Sequence, residues 1–179
     1  MKNLSMIAAI GDNLELGKDN QLIWPIKEDL GYFKEHTMIE GKEEGKPMLM
    51  GYKTFYSLRG GKPLPRRKHI VLTHNNNRLL QETDQIKIVR SVDEALEFIE
   101  KYKDEVMVIG GASVYSLMLE YAEKMYLTRI NATQEDADAF FPKFDEEEWS
   151  IEQDGEEHYT EETGEPLTYK HLIYTRKTK

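Results

Sequence analysis

Val106–Met118, reading Val-Met-Val-Ile-Gly-Gly-Ala-Ser-Val-Tyr-Ser-Leu-Met, decides the fold class. Four consecutive apolar residues read as a short strand buried on both faces, as in the middle of a parallel sheet. Gly110-Gly111 stops that strand, because two residues without Cβ allow a sharp reversal and a close backbone approach. Val114, Leu117, Met118 and Tyr121 then recur at the spacing of a helix with one buried face. A buried strand, a diglycine and a helix N-terminus put free N–H groups and a positive dipole end at the C-terminal edge of a sheet, where phosphates bind. The same pattern also suits a glycine-rich connection that binds nothing, since Gly-Gly is far less specific than a full Gly-x-Gly-x-x-Gly fingerprint.

Working outward, other units repeat the strand-then-helix order. Leu4–Ile10 is an apolar strand closed by Gly11-Asp12-Asn13, and Leu14–Trp24 has no clear period and reads as a loop. Ile26–Thr37 carries Ile26, Leu30 and Phe33 on one helical face, with Asp29 in the first turn at the edge of that face. Met38–Lys46 reads as an exposed loop, Pro47–Met50 as a strand stopped by Gly51, and Tyr52–Leu58 as a short helix. Lys68–Thr73 and Ile86–Val89 are further strands, with a turn at Asn75-Asn76-Asn77 between them. Ser91-Val92-Asp93-Glu94 is a capping box that predicts a helix through Tyr102. After the strand Lys124–Asn131, Trp149–Tyr159 and Leu167–Arg176 read as one long antiparallel pair. The expected architecture is a single-domain α/β fold over residues 1–179, with a mostly parallel central sheet, an antiparallel C-terminal hairpin and helices on both faces.

Composition narrows the chemistry. The chain has 179 residues, enough for one substantial core, and no cysteine, so thiol nucleophiles, thiolate metal sites and disulfides are excluded. No long apolar run resembles a leader or membrane helix, so the expectation is a cytoplasmic protein without a membrane partner. The net charge of −9 argues against nucleic acid as a partner. The charge is also unevenly spread: residues 133–165 hold 14 Asp/Glu against Lys143, whereas residues 45–81 hold eight bases and no acid. Such a basic segment in an acidic chain suits a small polyanion, although a solvated basic face would look the same.

The five histidines show no metal-ligand spacing, no metal is expected, and neither a Gly-x-Ser-x-Gly elbow nor a P-loop occurs. What remains is a pair of strand–glycine–helix junctions, a basic segment and one carboxylate, Asp29, near apolar and aromatic residues. A dinucleotide-dependent oxidoreductase needs such a set, because the cofactor brings the hydride and the protein supplies orientation.

Eight segments, in order, carry a resemblance to bacterial dihydrofolate reductase over essentially the whole length. They are Ile7-Ala8-Ala9; Leu16–Asn20 with Trp24; Glu28-Asp29-Leu30 followed by Phe33-Lys34 and Thr37; Met50–Phe55; Pro63–Arg67; Val108–Tyr115; Tyr126-Leu127-Thr128; and Phe140-Phe141-Pro142. The resemblance implies NADPH-dependent reduction of dihydrofolate to tetrahydrofolate, in one-carbon metabolism, with hydride passing to pterin C6 and a proton to N5. It implies Asp29, Trp24 and Thr128 as catalytic residues. Asp29 would grip the pterin's 2-amino group and adjacent ring nitrogen, too far from N5 to protonate it directly. Ile7, Ala8, Leu30, Phe33, Leu58, Ile109 and Tyr115 would wall the substrate site, and Arg67 would pair with the α-carboxylate of its glutamate. Ala9, Leu16, Gly51, Tyr52, Lys53, Thr54, Thr73, His74, Gly110, Gly111, Ala112, Ser113 and Val114 would line the cofactor. The diglycine would be joined by a cis peptide, Leu14–Trp24 would be a mobile loop, and Asp138 would help hold it closed. A monomer is expected.

The sequence departs from the family pattern at several points. The span Ile23-Trp24-Pro25-Ile26-Lys27 displaces both of the usual prolines, Tyr52 stands where an arginine usually meets cofactor phosphate, His74 replaces a small polar residue, and the loop 38–46 is long. Two other readings stay open on sequence alone: a pyrimidine reductase of riboflavin synthesis on the same fold, and a catalytically silent dinucleotide-binding module. The joint presence of Asp29, Trp24 and Arg67 weighs against the first, and retention of the pterin set weighs against the second.

Overall fold

The computed structural model describes residues 3–74 and 80–178, so the turn expected at Asn75-Asn76-Asn77 lies outside the described residues. Twelve strands are described: β1 Leu4–Ile10, β2 Glu15–Lys18, β3 Gln21–Leu22, β4 Met48–Gly51, β5 His69–Leu72, β6 Ile86–Val89, β7 Val106–Gly110, β8 Lys124–Ile130, β9 Ala139–Phe140, β10 Trp149–Gln153, β11 His158–Thr160 and β12 Leu167–Arg176. The helices are α1 Lys27–His36, α2 Tyr52–Ser57, α3 Val92–Ile99 and α4 Ala112–Met118. The main sheet runs β10-β12-β8-β1-β7-β4-β5-β6, with β11 also on β12. Pairing is parallel from β8 through β6 and antiparallel where β12 meets β8, β10 and β11.

Alternation along the strands sorts the core into two layers. Leu4, Met6 and Ile10 of β1 face α3 and α4, packing with Ala95, Ile99, Val114 and Met118. Ile7 faces the other way, toward Phe55 of α2 and Tyr32 and Phe33 of α1. Helices therefore cover both faces, and Val106, Met107 and Val108 in the middle strand are fully buried, as four apolar residues in a row predicted. No described helix is long and apolar enough to cross a membrane.

The structure corrects three expectations. Leu14–Trp24 is not structureless: β2 and β3 form a hairpin that pairs with β9 in a separate three-stranded sheet. Its turn is Asp19-Asn20, both at positive φ (50° and 61°), the two-residue geometry that Asp and Asn tolerate. The helix expected through Tyr102 ends at Ile99. At its start Ser91 Oγ accepts from Glu94 N–H at 3.1 Å, whereas the Glu94 carboxylate reaches back to Arg90 N–H at 2.7 Å rather than to Ser91. Finally, the expected unbroken pairing of 149–159 with β12 is interrupted. Gln153 pairs with Leu172 but His158 pairs with Tyr169, so residues 154–157 on one side lie opposite only 170 and 171 on the other, with Gly155 at φ 84° in the bulge. That bulge is what brings Asp154 and His158 to α1.

Candidate active site

A cleft opens at the C-terminal ends of β1, β4, β5 and β7, in two lobes of about 680 and 1220 Å³. Because Gly51 is paired with Leu72, the exits of β4 and β5 lie side by side, which sets Tyr52, Lys53 and Thr54 next to Thr73 and His74. Gly110, Gly111 and the first turn of α4 complete this smaller lobe. Gly110 has φ 117°, closed to ordinary side chains, and the Gly110–Gly111 peptide is cis. The N-cap residues of α2 and α4 are Gly51 and Gly111, which have no side chain with which to cap the first turn. Leu16, Ala112, Ser113 and Val114 also line this lobe. Ala9, expected with them, instead lines the larger lobe, because β1 leads into that side.

The larger lobe is lined by Ile7, Ala8, Asp29, Leu30, Phe33, Leu58 and Arg67, and it shares Ile109 and Tyr115 with the smaller one. Tyr115 is fixed at the junction by donating its hydroxyl to Ile7 C=O at 2.6 Å. Leu22, Leu30 and Tyr56 are among the large apolar side chains that the fold leaves exposed, and all three face this lobe. Apolar surface left open in a cleft is what a flat, largely apolar ligand would cover.

Two groups in the larger lobe are electrostatically unusual. Asp29 enters from the first turn of α1 into a nearly closed site, and desolvation raises its pKa. The hydrogen bond from Thr128 Oγ–H, 2.5 Å long, opposes that rise, whereas the neighbouring Glu28 charge adds to it. Arg67 is buried, and its Nε is one of two buried side-chain nitrogens without a partner among the described residues, the other being Trp149 Nε1. Desolvation and then the nearby Arg66 weaken its hold on the proton. A buried guanidinium without a carboxylate is costly unless an anion is to be supplied from outside.

The expected catalytic trio is not gathered in one place. Thr128 lies behind Asp29 and touches it. Trp24 lines neither lobe; it packs with Ile26, Ile130, Leu167 and Tyr169. Asp138 does meet the β2–β3 hairpin, accepting from Asp19 N–H at 3.0 Å. The buried Glu15 adds a second tie, accepting from Gln134 N–H at 2.6 Å. The loop 38–46 closes through a Met38–Gly45 bridge and donates Gly45 N–H to Arg66 C=O at 2.6 Å, against the stem of Arg67.

Sequence reasoning missed a polar cluster behind Asp29. His171 is the cross-strand partner of Thr128, and its Nδ1 lies 2.8 Å from Thr128 Oγ. The Tyr32 ring stacks on His171 at 3.8 Å, and the Tyr32 hydroxyl donates to Asp154 at 2.9 Å. Glu28 meets His158 Nδ1 at 2.9 Å and accepts from the Tyr169 hydroxyl at 2.6 Å. Glu28, His158 and His171 offer oxygen and nitrogen atoms within 4.8 Å of one another, but one Glu28 oxygen already accepts from the Tyr169 hydroxyl and the other faces His158 Nδ1. Only cross-strand register brings these residues together, and no spacing in the sequence signals it.

The dihydrofolate reductase family model matches residues 3–176. The chain belongs to the dihydrofolate reductase family. Among curated relatives, it is 39% identical to the dihydrofolate reductase of Haemophilus influenzae over 97% of this chain and 98% of that one. It is 36% identical to the Bacillus subtilis enzyme over 97% and 95%. Among solved structures, it resembles dihydrofolate reductase from Enterococcus faecalis, solved with NADP(H) and RAB-propyl, at a TM-score of 0.77 and 29% identity, covering 98% and 96% of the two chains.

Proposed function

We infer that the chain reduces 7,8-dihydrofolate to 5,6,7,8-tetrahydrofolate with NADPH. The observation that carries this reading is the larger lobe itself: a desolvated carboxylate backed by Thr128 at one end, and an unpaired buried arginine at the other. Asp29 offers two oxygens to parallel donors on a pterin. Arg67 offers a fork suited to a carboxylate. The smaller lobe fits a dinucleotide, because its uncapped N–H groups and Lys53 complement phosphates while its glycines let the backbone approach. NADPH, when bound, supplies the hydride that goes to C6.

The residues orient and enclose. Asp29 holds and polarises the pterin through its carboxylate, and Thr128 holds Asp29. Ile7, Leu30, Phe33 and Ile109 exclude water around the ring, and Tyr115 separates the two lobes. Such positioning lowers the barrier without a covalent step. Trp24 packs against Ile26 at the entry to α1 and supports the helix that carries Asp29. We read the chain as a cytoplasmic monomer without nucleic-acid or membrane partners; the net charge of −9 disfavours nucleic acid, and no described helix is long and apolar enough to cross a membrane. The deciding assay follows NADPH absorbance on adding dihydrofolate to the purified chain. Loss of absorbance with tetrahydrofolate as product is expected, and its absence would sink the reading.

A further inference from the structure

We propose that His171 is a positioning residue for Asp29: its Nδ1–H donates to Thr128 Oγ and so fixes the direction in which the threonine hydroxyl gives its own hydrogen. This rests on the reading above and adds a residue to it. The donor count makes the case. A threonine hydroxyl has one hydrogen and two acceptor sites. That hydrogen lies on Asp29, 2.5 Å away, because a carboxylate can only accept. The contact between Thr128 Oγ and His171 Nδ1, at 2.8 Å, therefore has imidazole as donor, which sets the tautomer with the hydrogen on Nδ1.

The surroundings hold that arrangement in place. His171 is buried, and its ring lies flat on Tyr32, at an interplanar angle of 2°. Tyr32 is pinned in turn by Asp154. Strand pairing puts Thr128 and His171 directly opposite each other, so register rather than a flexible side chain sets their distance. Burial, with His158 next, pushes the imidazole down to about 4, so the neutral donor form is the one present at pH 7. Glu28 and Asp154 act against that shift, whereas His36 acts with it. His171 Nδ1 is 3.9 Å from Asp29 itself, and a neutral ring makes no ion pair there. A donor feeding a hydroxyl strengthens the bond the hydroxyl gives onward. Without it, the Thr128 hydroxyl loses both its direction and that reinforcement.

The test compares His171→Asn with His171→Leu. The two side chains share a shape, both lose the ring, and only Asn places an N–H near the former Nδ1. KM for dihydrofolate should rise roughly 3- to 10-fold more in His171→Leu than in His171→Asn, the worth of one hydrogen bond, while KM for NADPH stays alike in the two. His171→Phe, which keeps the stack on Tyr32 but lacks the N–H, should match the Leu variant and serves if Leu does not fold. In a Thr128→Val background the difference between Asn and Leu should vanish, because the relay is already cut. Equal KM values for Asn and Leu, a parallel rise in both substrates' KM, or a difference that persists in Thr128→Val would each overturn the proposal. Wild-type turnover of dihydrofolate is measured alongside: its absence strikes the functional reading, its presence with equal variants strikes only His171.

Discussion

The two lobes of the cleft are built by different means. In the smaller one the recognising groups are largely backbone: strand ends, Gly51, Gly110, Gly111 and the first turns of two short helices, with Lys53 and His74 exposed at the rim. In the larger one they are side chains, the half-buried Asp29 with the buried Thr128 behind it and the buried Arg67, withdrawn from water at a cost that the protein bears. Backbone recognition tolerates exchange of the side chains around it. Recognition by desolvated side chains does not, because removing one partner leaves the other unpaired. Substitutions should therefore be severe in the larger lobe and mild in the smaller.

The largest expected effect is at Asp29. Asp29→Asn keeps the shape but gives Thr128 a neutral acceptor and the pterin a group that no longer only accepts. Hydride transfer at pH 7 should fall by about two orders of magnitude or more, with partial recovery in acid where the pterin arrives protonated. Single-turnover measurement across pH checks this. Wild-type transfer at pH 7 would break the contrast between the lobes at its strongest point.

Arg67→Leu comes next, and it should act on binding rather than on chemistry. Loss of a buried charge partner suggests about 2–4 kcal/mol in dihydrofolate affinity, with no loss for a pterin lacking the glutamate. Since Arg67 Nε has no partner among the described residues, the variant without ligand should melt no lower than wild type. A drop in affinity for both ligands, or a marked drop in melting temperature, would mean that Arg67 serves the fold.

How much of this was legible in the chain differs between the lobes in the same way. Strand, glycine and helix follow one another locally, so the β7–α4 and β4–α2 junctions could be read from Val106–Met118 and Pro47–Leu58 directly. The Asp19-Asn20 hairpin was legible too, since that dipeptide suits a turn with two positive φ values, but absence of a clear period in Leu14–Trp24 masked it. The support behind Asp29 was not legible. Residues 28, 128, 158 and 171 meet only because β12 pairs with β8 in one register and a bulge resets its pairing with β11. Histidine spacing along the chain carries no trace of that geometry. Trp24, which the resemblance sets with the catalytic residues, packs with Ile26, Ile130, Leu167 and Tyr169 and lines neither lobe.

The buried cluster also gives the larger lobe an acid liability. The folded value for His171, about 4, lies below its ordinary 6.5, so the unfolded chain takes up the proton first. Stability from this group is whole above about pH 6.5 and is lost as pH falls toward 4. Asp29 has the opposite sign, since its raised value penalises the fold at neutral pH and the penalty fades in acid. Comparing wild type with His171→Asn isolates the histidine. Between pH 6.5 and 4 the wild type should lose about 2 kcal/mol more than the variant, by denaturant titration at each pH. Parallel curves would show that His171 is not held neutral.

The smallest effect belongs to the rim of the smaller lobe. Lys53, in the first turn of α2, sits beside Tyr52 and across from His74 at the paired exits of β4 and β5. It is exposed, and as a compact ammonium it lacks the bidentate grip of a guanidinium, so the attraction we propose it offers the 2′-phosphate of NADPH is modest and screened by salt. Lys53→Met should lower the ratio of kcat/KM for NADPH over NADH by roughly 3- to 5-fold, the scale of an exposed charge pair. The change should lie in NADPH, with NADH nearly untouched, and should shrink when ionic strength is raised. An unchanged ratio would take Lys53 out of phosphate recognition. A loss as large as that at Arg67 would mean that the charge is effectively buried once cofactor is bound, and the contrast between a side-chain lobe and a backbone lobe would then hold only for the apo protein.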